Sequence, residues 1–213
     1  MTGNVFDLGT VDYGEALGLQ RRLVKMRTED RIPDTLLLLE HDHVITLGRK
    51  TSAPNLKPQS IPVYEVERGG DATYHGPGQL VGYLIFRIED HDVRRFVSLI
   101  EEAIIGAVGQ FGIAAGRLDG HRGVWVTGKK LASIGVAVSG WVSYHGFALN
   151  VNTDLSYFDL IRPCGLDPAA MTSMAMVLGR RVDVSRVRDE VSRQVALAFG
   201  EAFGSGDLRA IMA

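Results

Sequence analysis

The segment Thr35–Glu40, with the sequence TLLLLE, constrains the fold more than any other part of the chain. Its four consecutive leucines leave no polar face, and the run is short for a helix. Such a run is typical of a strand that is covered on both faces. The sequence therefore predicts a domain built around a sheet with other elements packed against both of its sides.

The other apolar patterns give strands that come in runs, with helices between the runs. They predict strands over residues 5–8, 44–47, 62–67, 80–88, 123–126, 130–138 and 144–151. Asp12 and Glu15 resemble a capping box that opens a helix through Leu17, Leu19, Leu23 and Met26. Further helices are predicted over residues 93–108, 154–161 and 184–198. This order favours an α+β fold, a mixed β-sheet flanked by helices, in a single domain over residues 1–213.

Composition excludes several classes of protein. Hydrophobic residues make up 46% of the chain and charged residues 23%, as in an ordinary globular protein. The net charge of -2 argues against a general nucleic-acid binder. The first residues lack the pattern of a signal peptide, and no apolar stretch is long enough to span a bilayer. We therefore expect a cytoplasmic protein with no nucleic-acid partner and no membrane association.

Residues 68–79, RGGDATYHGPGQ, form the first segment that is rich in chemically useful groups. Glycines on both sides of a Thr-Tyr-His core let the backbone fold tightly around a ligand, with N–H groups turned inward. The segment is neither a phosphate-binding P-loop nor a dinucleotide-binding fingerprint, because it lacks the residues that define those motifs. It is predicted to be a polar loop, which either binds a ligand or only turns the chain.

The second segment is a predicted strand that starts at two lysines. Strict alternation places Lys130 on an apolar face with Ala132, Ile134, Val136 and Val138. Lys129 shares the other face with Leu131, Ser133 and Gly135. A lysine on an apolar face is unfavourable without a partner, which makes Lys130 a candidate functional residue. The alternative is that Lys130 lies at the strand end and reaches water.

Cys164 is the only cysteine of the chain, and it lies between Pro163 and Gly165. One cysteine forms neither an intramolecular disulfide nor a multi-cysteine zinc site. Because proline and glycine resist regular structure, the thiol is expected on a turn that presents it to a cleft. A thiol near a lysine ammonium is partly ionised, and the thiolate is the nucleophile. Inert burial is the alternative.

Histidines suggest a competing interpretation. His41 and His43 are two residues apart and would share a face of a strand, while His75 lies in the polar loop and His145 in the predicted strand over residues 144–151. No spacing typical of a metal-binding motif accompanies them. We therefore predict no metal site.

Taken together, these segments resemble the lipoyl(octanoyl) transferase family. The matching residues are Glu40-His41, 46–49, 68–70, 73–79, 128–135, 145–150, Asp154-Leu155, Phe158, Ile161, 163–165 and Thr172-Ser173. They keep the order of the family and span most of the chain. One departure is Asp42-His43, because many members have proline after the Glu-His pair.

The resemblance implies the fold of the biotin/lipoate ligase catalytic domain. It also implies transfer of an octanoyl (or lipoyl) group from acyl carrier protein to a lysine amine, without a cofactor. The implied acceptors are lipoyl domains of 2-oxoacid dehydrogenase E2 subunits and the glycine cleavage H protein. Cys164 then carries the acyl group as a thioester, and Lys130 lowers the pKa of its thiol.

The same resemblance places acyl-chain and substrate contacts on three stretches of the chain. These residues are Arg68, Gly69, Gly70, Asp71, Ala72, Thr73, Tyr74, His75, Ser133, Ile134, Gly135, Gly146, Phe147 and Ala148. Backbone N–H groups near Gly165 or in the turn over residues 76–78 are candidates to stabilise the tetrahedral oxyanion.

Three other functions fit some of these features. An ATP-dependent lipoate–protein ligase would share the fold and would not need Cys164. A cysteine thioesterase would pass the acyl group to water, and a non-catalytic module would only bind the acyl group or its carrier. An acidic carrier protein needs a basic docking surface, for which Arg21, Arg22, Lys25 and Arg27, or Arg49 and Lys50, are candidates. The alternative is that these charges only solvate a helix face.

Overall fold

The computed structural model describes residues 2–51, 60–161 and 170–206, together with Leu208 and Ile211. These residues form four α-helices and eleven strands in two sheets. The strands are β1 (Gly3–Thr10), β2 (Thr35–Glu40), β3 (Val44–Leu47), β4 (Val63–Glu65), β5 (Thr73–His75), β6 (Gln79–Ile85), β7 (Gly116–Leu118), β8 (His121–Val126), β9 (Lys129–Ser139), β10 (Val142–Asn150) and β11 (Phe203–Ser205). The helices are α1 (Tyr13–Thr28), α2 (Val93–Gly109), α3 (Met174–Leu178) and α4 (Val184–Phe199), with a 3₁₀ helix over Leu155–Leu160.

The larger sheet has eight strands in the order β11-β1-β2-β6-β10-β9-β8-β7. Strand β1 runs parallel to both β2 and β11, while the pairs from β2 through β7 are antiparallel. The sheet is therefore mixed, as predicted. Helices α2 and α4 cover one face, and α1 contacts the other through β6 and β10.

Strand β2 is buried on both faces, which confirms the prediction made from its four leucines. Leu36 and Leu38 pack in the core cluster under α2 and α4, whereas Leu37 and Leu39 pack in the cluster under α1. All four side chains are 0–1% exposed. Each buried leucine contributes about 1.5–3 kcal/mol of hydrophobic stabilisation, so this strand anchors both layers.

Helix α1 begins as predicted, because the Asp12 carboxylate accepts a hydrogen bond of 3.1 Å from the Glu15 backbone N–H. Its buried face includes one polar side chain, Gln20. Gln20 Oε1 accepts a hydrogen bond of 2.8 Å from the backbone N–H of His145 on β10. The helix therefore holds the middle of β10 through a polar contact as well as through apolar packing.

The smaller sheet has the order β4-β3-β5, with β3 parallel to β4 and antiparallel to β5. Two predictions are corrected here. The strand predicted over residues 62–67 is only Val63–Glu65, and the Thr-Tyr-His core of the predicted polar loop is strand β5. Thr73 and Tyr74 are residue types that favour strands. Pairing with β3 outweighs the tendency of the surrounding glycines to form a loop. In the described parts of the chain, no helix is long and apolar enough to cross a membrane.

Candidate functional site

A cavity lies between the smaller sheet, the first turn of α1 and strands β6, β9 and β10 of the larger sheet. It contains about 550 Å³ of empty space, including the part that opens to solvent. Most of the residues that sequence reasoning selected line it, namely Arg68, Gly70, Asp71, Ala72, Thr73, His75, Lys130, Ser133, Ile134, Gly135, Gly146, Phe147 and Ala148. Three stretches that are distant in the sequence therefore meet around one space.

Two of the selected residues lie beside the cavity without lining it. The backbone N–H of Gly69 donates to the carbonyl of Val136 at 2.9 Å and so fastens the loop to β9. Tyr74 packs in a separate apolar cluster with Phe158, and its hydroxyl lies 2.7 Å from His43 Nδ1. Side chains alternate along a strand, so Thr73 and His75 face the cavity while Tyr74 faces away.

The backbone of the loop over residues 68–71 packs directly against two glycines, Gly48 and Gly135. A Cβ atom at Gly48 would lie 2.4 Å from the Gly70 carbonyl oxygen, and one at Gly135 would lie 2.9 Å from the Gly69 carbonyl oxygen. Arg68 is 8% exposed, and its Nη2 donates to both the carbonyl and the hydroxyl of Thr46 at 2.8 Å. Close backbone contact and a buried guanidinium together fix this wall of the cavity.

A shift of register changes the predicted position of Lys130. Trp125 pairs with Lys130, but Val124 pairs with Ala132, so Leu131 is an extra residue in β9, as at a β-bulge. Leu131 and Ala132 both pack in the core cluster under α2 and α4. Lys130 lies on the opposite face, with its Nζ 5.1 Å from the centroid of the Trp125 ring. The prediction that Lys130 shares a face with Ala132, Ile134, Val136 and Val138 is therefore wrong.

Burial also excludes the alternative in which Lys130 reaches water. The residue is 5% exposed, although its neighbour Lys129 is exposed. Contact with the face of an indole ring stabilises an ammonium group. The bulge thus moves a buried cation from the core to the wall of the cavity.

The backbone of Lys130 pairs with a segment that follows the only cysteine in the sequence. The Lys130 carbonyl accepts a hydrogen bond of 2.9 Å from the Thr172 N–H, and Lys130 and Met171 form an isolated parallel bridge. Cys164 and Gly165, the predicted nucleophile and one predicted oxyanion donor, lie outside the described residues. In the second predicted location, the turn over residues 76–78, the Gly78 N–H is engaged, because it donates to Glu40 Oε2 at 2.7 Å.

A buried hydrogen-bond network sets the tautomer of His75. Gln79 Nε2 donates to the carbonyl of Tyr74 at 3.1 Å and to Asn150 Oδ1 at 2.9 Å. Gln79 Oε1 must then accept from His75 Nδ1, which lies at 2.8 Å. His75 Nε2 is therefore the unprotonated nitrogen of a neutral ring. Burial, followed by the influence of His41, lowers the pKa of His75 to about 3, so the ring stays neutral at physiological pH.

His145 is one of the non-glycine residues with a positive φ. Its φ is 58°, in the left-handed region that non-glycine residues seldom adopt. Its Nε2 is buried without a hydrogen-bond partner among the described residues and lies 4.0 Å from Glu67 Oε2. Burial and then the Arg68 guanidinium lower the pKa of His145 to about 4. The ring is therefore a neutral polar group on the cavity wall.

Sequence reasoning did not place Tyr13, Tyr83 or His145 among the substrate contacts, although all three line the cavity. Tyr83 lies 2.7 Å from Nε2 of His41, whose Nδ1 lies 2.6 Å from the Val11 carbonyl. Because a carbonyl only accepts, His41 Nδ1 carries the proton and the Tyr83 hydroxyl donates to Nε2. No local signal distinguishes Tyr13 or Tyr83 from ordinary core aromatics in the sequence.

Of the four histidines considered for a metal site, the two that are close in sequence lie in different surroundings. His41 contacts Tyr83 beside the cavity, whereas His43 stacks on Tyr157 with ring centroids 4.3 Å apart. Within residues 2–51, 60–161 and 170–206, no group of three or more His, Cys, Asp or Glu side chains is arranged to hold a metal ion.

Comparison with known proteins relates this sequence and fold to enzymes. The family described as "Lipoyl protein ligase A/B catalytic domain" matches residues 12–196. An octanoyltransferase of Syntrophobacter fumaroxidans is 48% identical over 197 residues, which cover 88% of this chain and 86% of that protein. A structure of lipoate-protein ligase A bound with ATP has a TM-score of 0.78 at 17% identity, over 97% of this chain and 89% of the other. A biotin protein ligase of Aquifex aeolicus has a TM-score of 0.56 at 15% identity, over 94% and 70%.

The fold is the catalytic-domain fold that lipoate and biotin protein ligases share, which confirms the expectation from the sequence. The chain belongs to the lipoyl protein ligase A/B catalytic domain family, and its resemblance to octanoyltransferases is confirmed. It is an acyltransferase.

Proposed function

We propose that the chain transfers an octanoyl (or lipoyl) group from acyl carrier protein to the lysine amine of lipoyl domains, through a thioester on Cys164. The acceptors are lipoyl domains of 2-oxoacid dehydrogenase E2 subunits and the glycine cleavage H protein, and the location is the cytoplasm. The observation that carries the proposal is the buried position of Lys130 at the cavity wall. The segment that follows Cys164 in the sequence pairs with Lys130 at Met171 and Thr172.

In the first half-reaction, the thiolate of Cys164 attacks the carbonyl carbon of the donor thioester. The donor carbon–sulfur bond breaks, and the departing thiolate takes a proton from the Lys130 ammonium and leaves as a thiol. Exchange of one thioester for another is close to neutral in free energy, so this step needs no ATP. A cation beside the thiol favours the thiolate that attacks.

In the second half-reaction, the acceptor amine attacks the Cys164 thioester. Lys130, now neutral, takes the proton of the amine as general base. The bond between carbon and Cys164 Sγ breaks, and the restored ammonium stabilises the departing thiolate. The product is an amide, which is more stable than a thioester, and the enzyme returns to its starting protonation state.

The acyl chain is proposed to occupy the apolar part of the cavity. Ala72, Ile134, Phe147 and Ala148 supply most of that lining, and glycines at 70, 135 and 146 leave it open. Burial stabilises a saturated chain by about 0.8 kcal/mol for each CH₂. Loading from a hexanoyl donor is therefore expected to be roughly tenfold slower than loading from an octanoyl donor. Equal rates for the two donors would contradict an acyl-binding cavity.

Intact mass spectrometry after mixing the protein with octanoyl-acyl carrier protein, without ATP, tests the mechanism. The expected result is an octanoyl adduct that hydroxylamine removes and that Cys164→Ala does not form. If no adduct forms, and a lipoyl domain is acylated only when free octanoate and ATP are supplied, the chain is a ligase. Release of free octanoate without an acceptor would instead identify a thioesterase.

A further inference from the structure

A second depression, which we call the cationic groove, opens into the cavity beside Lys130. Its rim carries Lys50, Arg94, His121 and Arg122, and its floor is formed by Val93, Val97, Ile134 and Val136. It contains about 1430 Å³ of empty space, including the part that opens to solvent. Gly70, Asp71, Lys130, Ile134 and Gly135 line both the groove and the cavity. The groove and the cavity therefore adjoin at Lys130, the residue proposed to act on the thiol.

The charge of the groove differs from that of the whole chain. Lys50, Arg94, Arg122 and Lys130 line it, and among the described residues Asp71 is its single carboxylate. The chain as a whole carries a net charge of -2. Arg122 is partly neutralised, because its Nη1 lies 3.7 Å from Glu101 Oε2. Among the described residues, no carboxylate lies within ion-pair distance of Arg94 or Lys50.

We propose that the cationic groove binds the phosphate-bearing thioester arm of the donor, rather than the acceptor. This inference rests on the proposed function. The acyl group of the donor ends a flexible arm that a phosphodiester links to the carrier protein. Such an arm combines a negative charge with a narrow chain, and it therefore fits a groove with a cationic rim and an apolar floor.

Charge also distinguishes this occupant from the acceptor. The acceptor lysine is an ammonium group at neutral pH, and its passage between Arg94 and Lys50 towards Lys130 would bring like charges together. A phosphate on the same route would be stabilised by its attraction to Arg94 and Lys50. The arrangement therefore assigns the groove to the donor, and the acceptor approaches the cavity from another direction.

Arg94 and Arg95 provide a matched pair for the test. Both are exposed residues in the first turns of α2. Arg94 lines the cationic groove, whereas Arg95 pairs with Asp90 and lines a different depression. Arg94→Gln and Arg95→Gln remove the same charge from neighbouring positions, so a general effect of net charge or of helix stability acts on both.

The experiment measures kcat/KM with octanoyl-acyl carrier protein, octanoyl-phosphopantetheine and octanoyl-pantetheine, which lacks the phosphate. Arg94→Gln is expected to lower kcat/KM about five- to tenfold for the two phosphate-bearing donors, because a charge on the rim mainly affects association. The loss should shrink as salt rises, since ions screen exposed charges beyond about 8 Å at physiological ionic strength. The kcat/KM for octanoyl-pantetheine and the KM for the lipoyl domain should be the same in Arg94→Gln as in the wild type. Arg95→Gln should match the wild type for all three donors and for the lipoyl domain.

Two results would overturn the assignment. A loss confined to octanoyl-acyl carrier protein would show that Arg94 contacts the carrier protein and not the arm. A raised KM for the lipoyl domain would assign the groove to the acceptor. Failure of the proposed function is distinct from both, because the wild type would then transfer the octanoyl group from none of the three donors.

Discussion

Gln79 and Asn150 lie directly opposite each other on strands β6 and β10, and their buried side-chain amides share a hydrogen bond of 2.9 Å. Each amide also donates to a backbone carbonyl, Gln79 to Tyr74 at 3.1 Å and Asn150 to Thr172 at 3.0 Å. Because a carbonyl cannot donate, neither amide can be reversed. This pair therefore fixes the tautomer of His75 and holds the segment that pairs with Lys130.

Asn150→Leu is expected to impair acyl transfer more than stability alone explains. The substitution leaves one N–H of the Gln79 amide and the Thr172 carbonyl without their Asn150 partner, at a cost of about 1–3 kcal/mol for each buried group. Misplacement of the segment beside Lys130 should also slow the loading of Cys164 by about ten- to a hundredfold. Urea unfolding and single-turnover loading measure the two effects separately.

Asn152→Leu is the control for this prediction. Its side chain makes two hydrogen bonds to the backbone of Val182, at 2.7 and 2.9 Å, outside the cavity lining. It should lower the urea midpoint and leave the loading rate close to that of the wild type. If both variants load Cys164 at the same rate, Asn150 has only a structural role.

Lys130→Met is expected to raise the pKa of the Cys164 thiol, because the substitution removes a cation and keeps a long side chain against Trp125. Cys164 is the only cysteine, so the rate of alkylation by iodoacetamide as a function of pH reports this thiol alone. The control is Lys129→Met, which removes an exposed lysine from the adjacent position. Identical alkylation profiles for the two variants would mean that Lys130 does not act on the thiol.

The sequence predicted the architecture well because burial leaves a clear pattern. The four leucines of β2 have no polar alternation, and the structure covers them on both faces. The capping of α1 by Asp12 was also readable, since a carboxylate and the third N–H of a helix are close in sequence. Three short elements, β7, α3 and β11, were not predicted, because their three to five residues show no clear apolar period.

The face of Lys130 was not predictable in the same way. An alternation rule assumes an unbroken strand, and one extra residue at Leu131 reverses the face of every position before it. The roles of Tyr13 and Tyr83 depend on contacts between distant segments, which a local pattern does not contain. Tyr74 was selected with its neighbours in the motif, but the pleat of β5 turns it away from the cavity.

Acidification is expected to destabilise the fold through its buried histidines. An unfolded histidine titrates near pH 6.5, while the pKa of His145 in the fold is lowered to about 4. Between these values the unfolded chain binds more protons, so the free energy of unfolding falls as the pH falls through this window. The slope is about 1.4 kcal/mol per pH unit for one such group.

His145→Asn should lower the slope of this pH dependence by about 1.4 kcal/mol per pH unit, because asparagine does not titrate and tolerates a positive φ. The buried His75, whose pKa is lowered to about 3, keeps its own contribution. The measurement is the urea midpoint at several pH values between 4 and 7, which are chosen from the reference value and the lowered pKa. His121→Asn, at an exposed position, should keep the steep dependence of the wild type. A dependence that is equally steep in His145→Asn would show that His145 is not the source of the acid lability.

Gly135→Ala and Gly18→Ala are expected to change stability in opposite directions. A Cβ at Gly135 would lie 2.9 Å from the Gly69 carbonyl oxygen and 3.2 Å from Arg68 Cδ. The loop that lines the cavity must therefore move, and overpacking of this kind costs about 1–3 kcal/mol.

At Gly18, inside α1, a Cβ would meet nothing within 4 Å. There alanine should stabilise the fold by about 0.5–1 kcal/mol, because glycine loses more backbone freedom on folding. Urea unfolding measures both changes, and octanoyl loading should fall only in Gly135→Ala. Normal loading by Gly135→Ala would mean that the close contact between Gly135 on β9 and the loop over residues 68–71 does not shape the acyl site.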